Sequence, residues 1–293
     1  MPLPSPDQVL EALDQAGHLL EQQVATQLAD LGYSVATNRA YTDPDEGKSR
    51  ELDVWAYKDL FRDGDQRVRV GLYLLIECKN TAAPLAFLTR PVPPISKPEE
   101  VMFTFHSREE RYEEGGQTLI RRTPTFDVLG LKEKYWGTAN PVKAVHVSRL
   151  ELKNQKWNAS NTGVFDSLTW PLAKAMRAFK APHRNRNQGF DASRDWSHVL
   201  FFIPMVVTAS QLFVADGTSP APVVGAAAHV RFQREFKAKG FEGTFGIDFV
   251  RRDALADFVR DTVDTFGAEV VHVVEGNPTS VIPPDKWPMA DIW

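Results

Sequence analysis

Apolar residues recur at helical spacing through residues 7–31, where Leu10, Leu13, Leu20, Val24, Leu28 and Leu31 share one stripe and Gly32 ends it. One helix is predicted there, with Glu21 at the edge of the stripe beside Val24 and Leu28. Residues 33–39 read as a strand, and the polar run 42–48 as a loop. In residues 50–57 the period is two: Leu52, Val54 and Ala56 share one face, Glu51, Asp53, Trp55 and Tyr57 the other. Residues 71–80 form a nearly continuous apolar run that ends in an acid and a base, Glu77 and Lys79, two residues apart. In a strand those two side chains point the same way. Two opposite charges therefore share one place beside a core.

The segment between these strands contains Asp63-Gly64, a turn signal, so the pattern predicts an antiparallel hairpin. Folding near Asp65 sets Trp55 opposite Leu75 and Asp53 opposite Glu77. A one-residue slip would mismatch the apolar faces, whereas a slip of two residues would keep them matched. Further along, five prolines between residues 84 and 98 mark an irregular stretch, and residues 99–122 carry mixed charge without a clear period. Strands are predicted at 142–152, 199–203, 211–215, 229–236, 244–250 and 269–275. Helices are predicted at 164–180, broken or restarted at Pro171, and at 253–266. The fully apolar run 199–203 suits a strand buried on both faces.

The chain has 293 residues, 43% of them hydrophobic, enough for one large core with an appended part. No run of about eighteen apolar residues occurs. The first residues lack the basic-then-apolar pattern of a signal peptide, so a cytoplasmic protein is expected. The single cysteine, Cys78, forms no internal disulfide and rules out a zinc site built on several thiolates. It is expected to be a buried, unreactive thiol. The seven histidines are dispersed without HExxH, and neither a Gly-rich phosphate loop nor a GxSxG elbow is present. A formal charge of −4 leaves room for a local basic surface.

Two facing carboxylates at the edge of a core repel one another unless a cation lies between them. Few hard oxygen ligands, with the other positions left to water and phosphate, suit Mg²⁺, for which Mn²⁺ can substitute. Asp53 and Glu77 are the expected ligands, with the backbone carbonyl of Cys78 beside them and Glu21 as a further acid. Lys79 supplies a positive charge for an anionic transition state. A salt-bridge cluster without catalysis remains the structural alternative, disfavoured because buried charge clusters stabilise poorly beside apolar packing.

Glu21 in a first helix, Asp53 in a second strand and Glu77-Cys78-Lys79 in a third resemble the signature of the PD-(D/E)XK nuclease superfamily. The resemblance covers residues 18–80 and extends through the helix from 164 and the strands to 216. Leu52 stands where the name-giving proline would be. The resemblance implies an α/β fold with a mixed central β-sheet flanked by helices, in the restriction-endonuclease-like αβββαβ order. It implies Mg²⁺-assisted hydrolysis of nucleic acid, with Asp53 and Glu77 as metal ligands, Lys79 as the catalytic lysine and Glu21 as the helix acid. A nuclease domain over residues 1–219, with an insertion at about 81–160, and an α+β extension over 220–293 are then expected. DNA is favoured over RNA as partner. The basic run Lys174, Arg177, Lys180, Arg184, Arg186 and Arg194 would contact its phosphates. A catalytically silent binding module of the same fold is the alternative, and a homo-oligomer or a larger defence or repair assembly stays open.

Overall fold

The apolar run ending in Glu77 and Lys79 becomes β3 (Val68–Lys79), an interior strand of a large mixed sheet in a computed structural model of the chain. The structure describes residues 3–92, 102–104, 107–185, 194–238 and 241–282. Before β3 come α1 (Pro6–Gln15), α2 (His18–Asp30), β1 (Ser34–Thr42) and β2 (Ser49–Asp63). After it come β4 (Leu85–Pro91), β5 (Met102–Thr104) and a separate hairpin of β6 (Ser107–Glu114) and β7 (Gln117–Pro124). Two short helices follow, α3 (Thr125–Val128) and α4 (Trp136–Ala139), then β8 (Val142–Lys153) and β9 (Lys156–Ser160). A π-helical turn, Phe165–Thr169, leads into α5 (Trp170–Asn185), with Pro171 in the first turn, where a missing N–H costs nothing. The chain ends in β10 (Ser197–Thr208), β11 (Leu212–Asp216), β12 (Val224–Ala227), β13 (His229–Ala238), β14 (Phe241–Arg251), α6 (Leu255–Phe258) and α7 (Thr265–Gly276).

Among the described residues the sheet runs β1-β2-β3-β10-β14-β13-β8-β4-β11-β12, with β5 also on β10 and β9 on β8. β1, β2 and β3 pair antiparallel, and β10 runs parallel to β3 from Ser197/Val68 to Thr208/Lys79. Trp55 lies opposite Leu75, the register that the hairpin parity predicts. Buried residues divide by face. Leu20, Val24 and Leu28 of α2 share a cluster with Val54, Ala56, Ile76, Phe266 and Val270. Leu172 and Met176 of α5 share the other with Leu75, Phe202, Phe232 and Phe249.

The second half of the sheet curls. β10 and β11 are joined by residues 209–211 alone, a reach of about 15 Å at most. Four strands nevertheless separate them in the sheet, about 24 Å if it were flat. The strands from β14 to β11 must therefore turn back toward the end of β10, wrapping Phe87, Phe232, Phe236, Phe245 and Phe249 into one core. Buried Asp248 of β14 fixes one side of this curl, accepting hydrogen bonds from Arg231 and from Trp136 of α4 and pairing with His229 Nε2 at 2.8 Å.

Several expectations are corrected. The single helix over 7–31 is two, broken at Gly17, whose φ of 86° is left-handed. Leu10 and Leu13 of α1 are exposed rather than part of the core. Leu52 does not share a face with Val54: it belongs to the α5-side cluster, Val54 to the α2-side one. The reversal falls at Asp53, beside Asn38, whose φ of 52° interrupts the pleat of β1. Residues 269–275 are helix α7, not a strand, because Phe266, Val270 and Val274 bury one face at a spacing of four. The stretch after Asn80 holds β4, a regular strand of the sheet. Residues 81–160, expected as an insertion, supply β4 and β8 to the sheet, and residues 220–293, expected as an extension, supply β13 and β14. No helix among the described residues is long and apolar enough to cross a membrane.

Candidate functional site

β3 reaches its end at Glu77, Cys78 and Lys79 beside the parallel end of β10, where Thr208 Oγ1 donates to the carbonyl of Lys79 at 3.1 Å. On the other side the β2 ladder stops at Val54/Ile76. Two residues beyond Ile76, the amide of Cys78 donates instead to Asp53 Oδ2 at 2.7 Å. The reversal of β2 at Asp53 thus converts a backbone partner into a carboxylate, and fixes that carboxylate at the strand end. The N–H and C=O of one strand residue face the same neighbour, so the carbonyl of Cys78 faces the Asp53 side too.

Lys79 Nζ donates to Glu77 Oε2 at 2.9 Å, and Glu77 is buried. Glu21 enters from the first turn of α2, with Oε1 3.7 Å from His18 Nδ1 and Oε2 buried without a hydrogen-bond partner among the described residues. Asn80 clips the preceding helix to this end of the sheet by donating to the carbonyl of Asp14. A cavity of about 350 Å³ opens here, and Glu21, Asp53, Cys78, Lys79, Asn80 and Arg149 are among its walls. The sheet and α2 thus bring together all four residues singled out by pattern: three line the cavity and Glu77 lies behind Lys79.

The electrostatics carry the strain that the spacing predicts. Burial, and then the Asp53 charge, raise Glu77 from its ordinary 4.5 to about 7, with Lys79 opposing. Burial raises Asp53 against the pull of the Cys78 amide and Lys79. Burial and Asp53 raise Glu21 as well. Against burial, Glu77 holds the Lys79 ammonium above its usual value. Cys78 is a buried free thiol, pushed up first by burial and then by the neighbouring carboxylates, and is therefore a poor nucleophile.

Comparison with protein-family models, with curated proteins and with solved structures finds no match to this chain. The site is therefore read from its own residues. Three acids face one lysine, and one acid oxygen is buried with no donor among the described residues. The chemistry of that set would suit a hard divalent cation, which would relieve the mutual repulsion.

The basic run behaves otherwise than its sequence suggests. Lys174 is buried, with Nζ 2.9 Å from Asp43 Oδ2 and 3.3 Å from Asp45 Oδ2, so its charge is spent inside the protein. Lys180 is also buried, while Arg177 is partly exposed on α5. Arg194 is exposed, 3.8 Å from Asp195. The side chain of Arg184 and all of Arg186 lie outside the described residues. Arg149, by contrast, has no motif to flag it. It stands in β8 opposite Leu85, and only the curl of the sheet carries it to the cavity.

Proposed function

We propose that the chain is a metal-dependent nuclease that hydrolyses phosphodiester bonds, with DNA favoured as substrate. The observation that carries this reading is the convergence of Glu21, Asp53 and Lys79 on one open cavity with Glu77 directly behind, acids in excess over base. Asp53 and Glu77 would hold Mg²⁺ together with the carbonyl of Cys78, and Glu21 would complete the acidic wall. When bound, the ion supplies a Lewis acid and a more acidic water.

The residues of the chain do the rest. Asp53 is kept in place at the cavity wall by the Cys78 amide. Lys79, tethered by Glu77, offers a cation that stabilises negative charge developing on a phosphoryl oxygen. In support of this reading, α2, β1, β2 and β3 come first in the chain and α5 and β10 follow after β4 to β9, with β10 parallel to β3. The test incubates the full chain with plasmid, linear duplex, single-stranded DNA and RNA, in Mg²⁺, Mn²⁺ or EDTA. Cleavage of DNA that EDTA abolishes is expected; cleavage that persists in EDTA, or none on any substrate, contradicts the proposal.

A further inference from the structure

Two buried polar atoms around the cavity lack partners among the described residues, and they have opposite character. One is the acceptor Glu21 Oε2, the other the donor Nε of Arg149. Buried donors and acceptors are almost always satisfied, so two orphans on residues that line one cavity point to the chemistry of what binds beside them. A cation alone would answer Glu21 and leave Arg149 without an acceptor. A bare anion would answer Arg149 and be repelled by Glu21, Asp53 and Glu77. A phosphate ester together with a divalent cation satisfies both. The guanidinium suits this role because its planar fork matches two phosphate oxygens, which an ammonium does not.

Arg149 is also held where such a contact is useful. The antiparallel pairing of Leu85 with Arg149, and the bond from Leu150 N to the carbonyl of Pro84 at 2.8 Å, fix its backbone beside the loop that follows Asn80. That loop is anchored in turn, because Ser210 Oγ donates to the carbonyl of Thr81 and the amide of Leu85 donates to the carbonyl of Gln211 at 2.9 Å. Arg149 therefore approaches from the curled half of the sheet, while Asp53, Glu77 and Lys79 come from its flat half.

Resting on the nuclease reading, we propose that Arg149 binds the phosphate on which this site acts, donating to its non-bridging oxygens while the carboxylates face the metal side. The assignment makes the second half of the sheet part of the site rather than its support.

The test measures binding of inorganic phosphate in Mg²⁺ by calorimetry, and in parallel single-turnover cleavage of a labelled duplex, for the full-length parent, Arg149→Gln and Arg149→Lys. Arg149→Gln is expected to weaken phosphate binding about tenfold, the loss of a charge-assisted hydrogen bond, and to slow cleavage about 100-fold. Arg149→Lys is expected to recover part of the binding, with an unchanged melting temperature. Phosphate binding in Arg149→Gln equal to that of the parent, or none in the parent at millimolar phosphate, overturns the assignment. If Arg149→Gln does not fold, binding by Arg149→Lys equal to the parent overturns it instead. Arg149-dependent phosphate binding by a parent that cuts no nucleic acid supports the anion site and removes the nuclease reading.

Discussion

Glu77 is the residue on which burial and charge conflict most. It is buried, paired with Lys79 at 2.9 Å and repelled by Asp53, and the balance leaves its carboxyl raised. A carboxyl whose pKa is raised by folding prefers its proton in the folded state. Its stabilising contribution is complete below the ordinary 4.5 and is lost as pH climbs through about 7. Without metal, the melting temperature of the parent should fall across that window relative to Glu77→Gln, and Mg²⁺ should restore it most at the alkaline end. Parallel melting curves for the two proteins at every pH would show that the charge is already compensated. At this scale the pairing of Glu77 with Lys79 was legible because strand parity is local, and Glu21 because helical phase is, whereas Asp53 reaches the strand end through a reversal of parity that the sequence pattern does not show. Arg149 was not, since an isolated arginine in a strand carries no signal until distant pairing places it.

Elements were legible where one pattern held along them, as in the apolar runs of β3 and β10, and misread where a single residue broke it. Gly17 divides the first helix through a left-handed φ that no apolar spacing announces, and Asn38 accompanies the reversal of β2 at Asp53. Helix α5 shows a different limit. Its lysines look like a solvated cationic face, yet Lys174 points inward to Asp43, which is fully buried. Against the cost of burial, bonds from Lys174, the amides of Asp45 and Glu46, and Arg50 hold the Asp43 carboxyl well below its usual range. Removing one partner of such a pair costs about 3 kcal/mol, because the other charge stays buried. Lys174→Met is therefore expected to lower urea-unfolding stability by that order while leaving DNA affinity and its salt slope unchanged. A smaller salt slope with full stability would return Lys174 to the nucleic-acid surface.

The whole molecule is less divisible than its sequence suggests. Helical and strand patterns after residue 220 resemble a separate unit, but β13 and β14 stand between β10 and β8 in the sheet. Ending the chain at Ser219 would remove the partner of β10 at Met205–Thr208 and leave the Phe232, Phe245 and Phe249 part of the core unfilled. Such a truncation is expected to lose cooperative thermal unfolding by circular dichroism, whereas an intact melt would restore the two-part division. The curl that causes this was beyond sequence reading, because it follows from strand order rather than from any segment. It also places Arg149 at the acidic cavity and so joins both halves of the sheet in one site. Asp53 and Lys79 have a proposed role there, acting on a phosphodiester with Mg²⁺. Its most direct test is cleavage of plasmid DNA in Mg²⁺ by the parent, Asp53→Ala and Lys79→Ala at equal concentration. Loss of about 100-fold or more in both variants, with unchanged folding, is predicted; cutting by either variant at the parent's rate would contradict it.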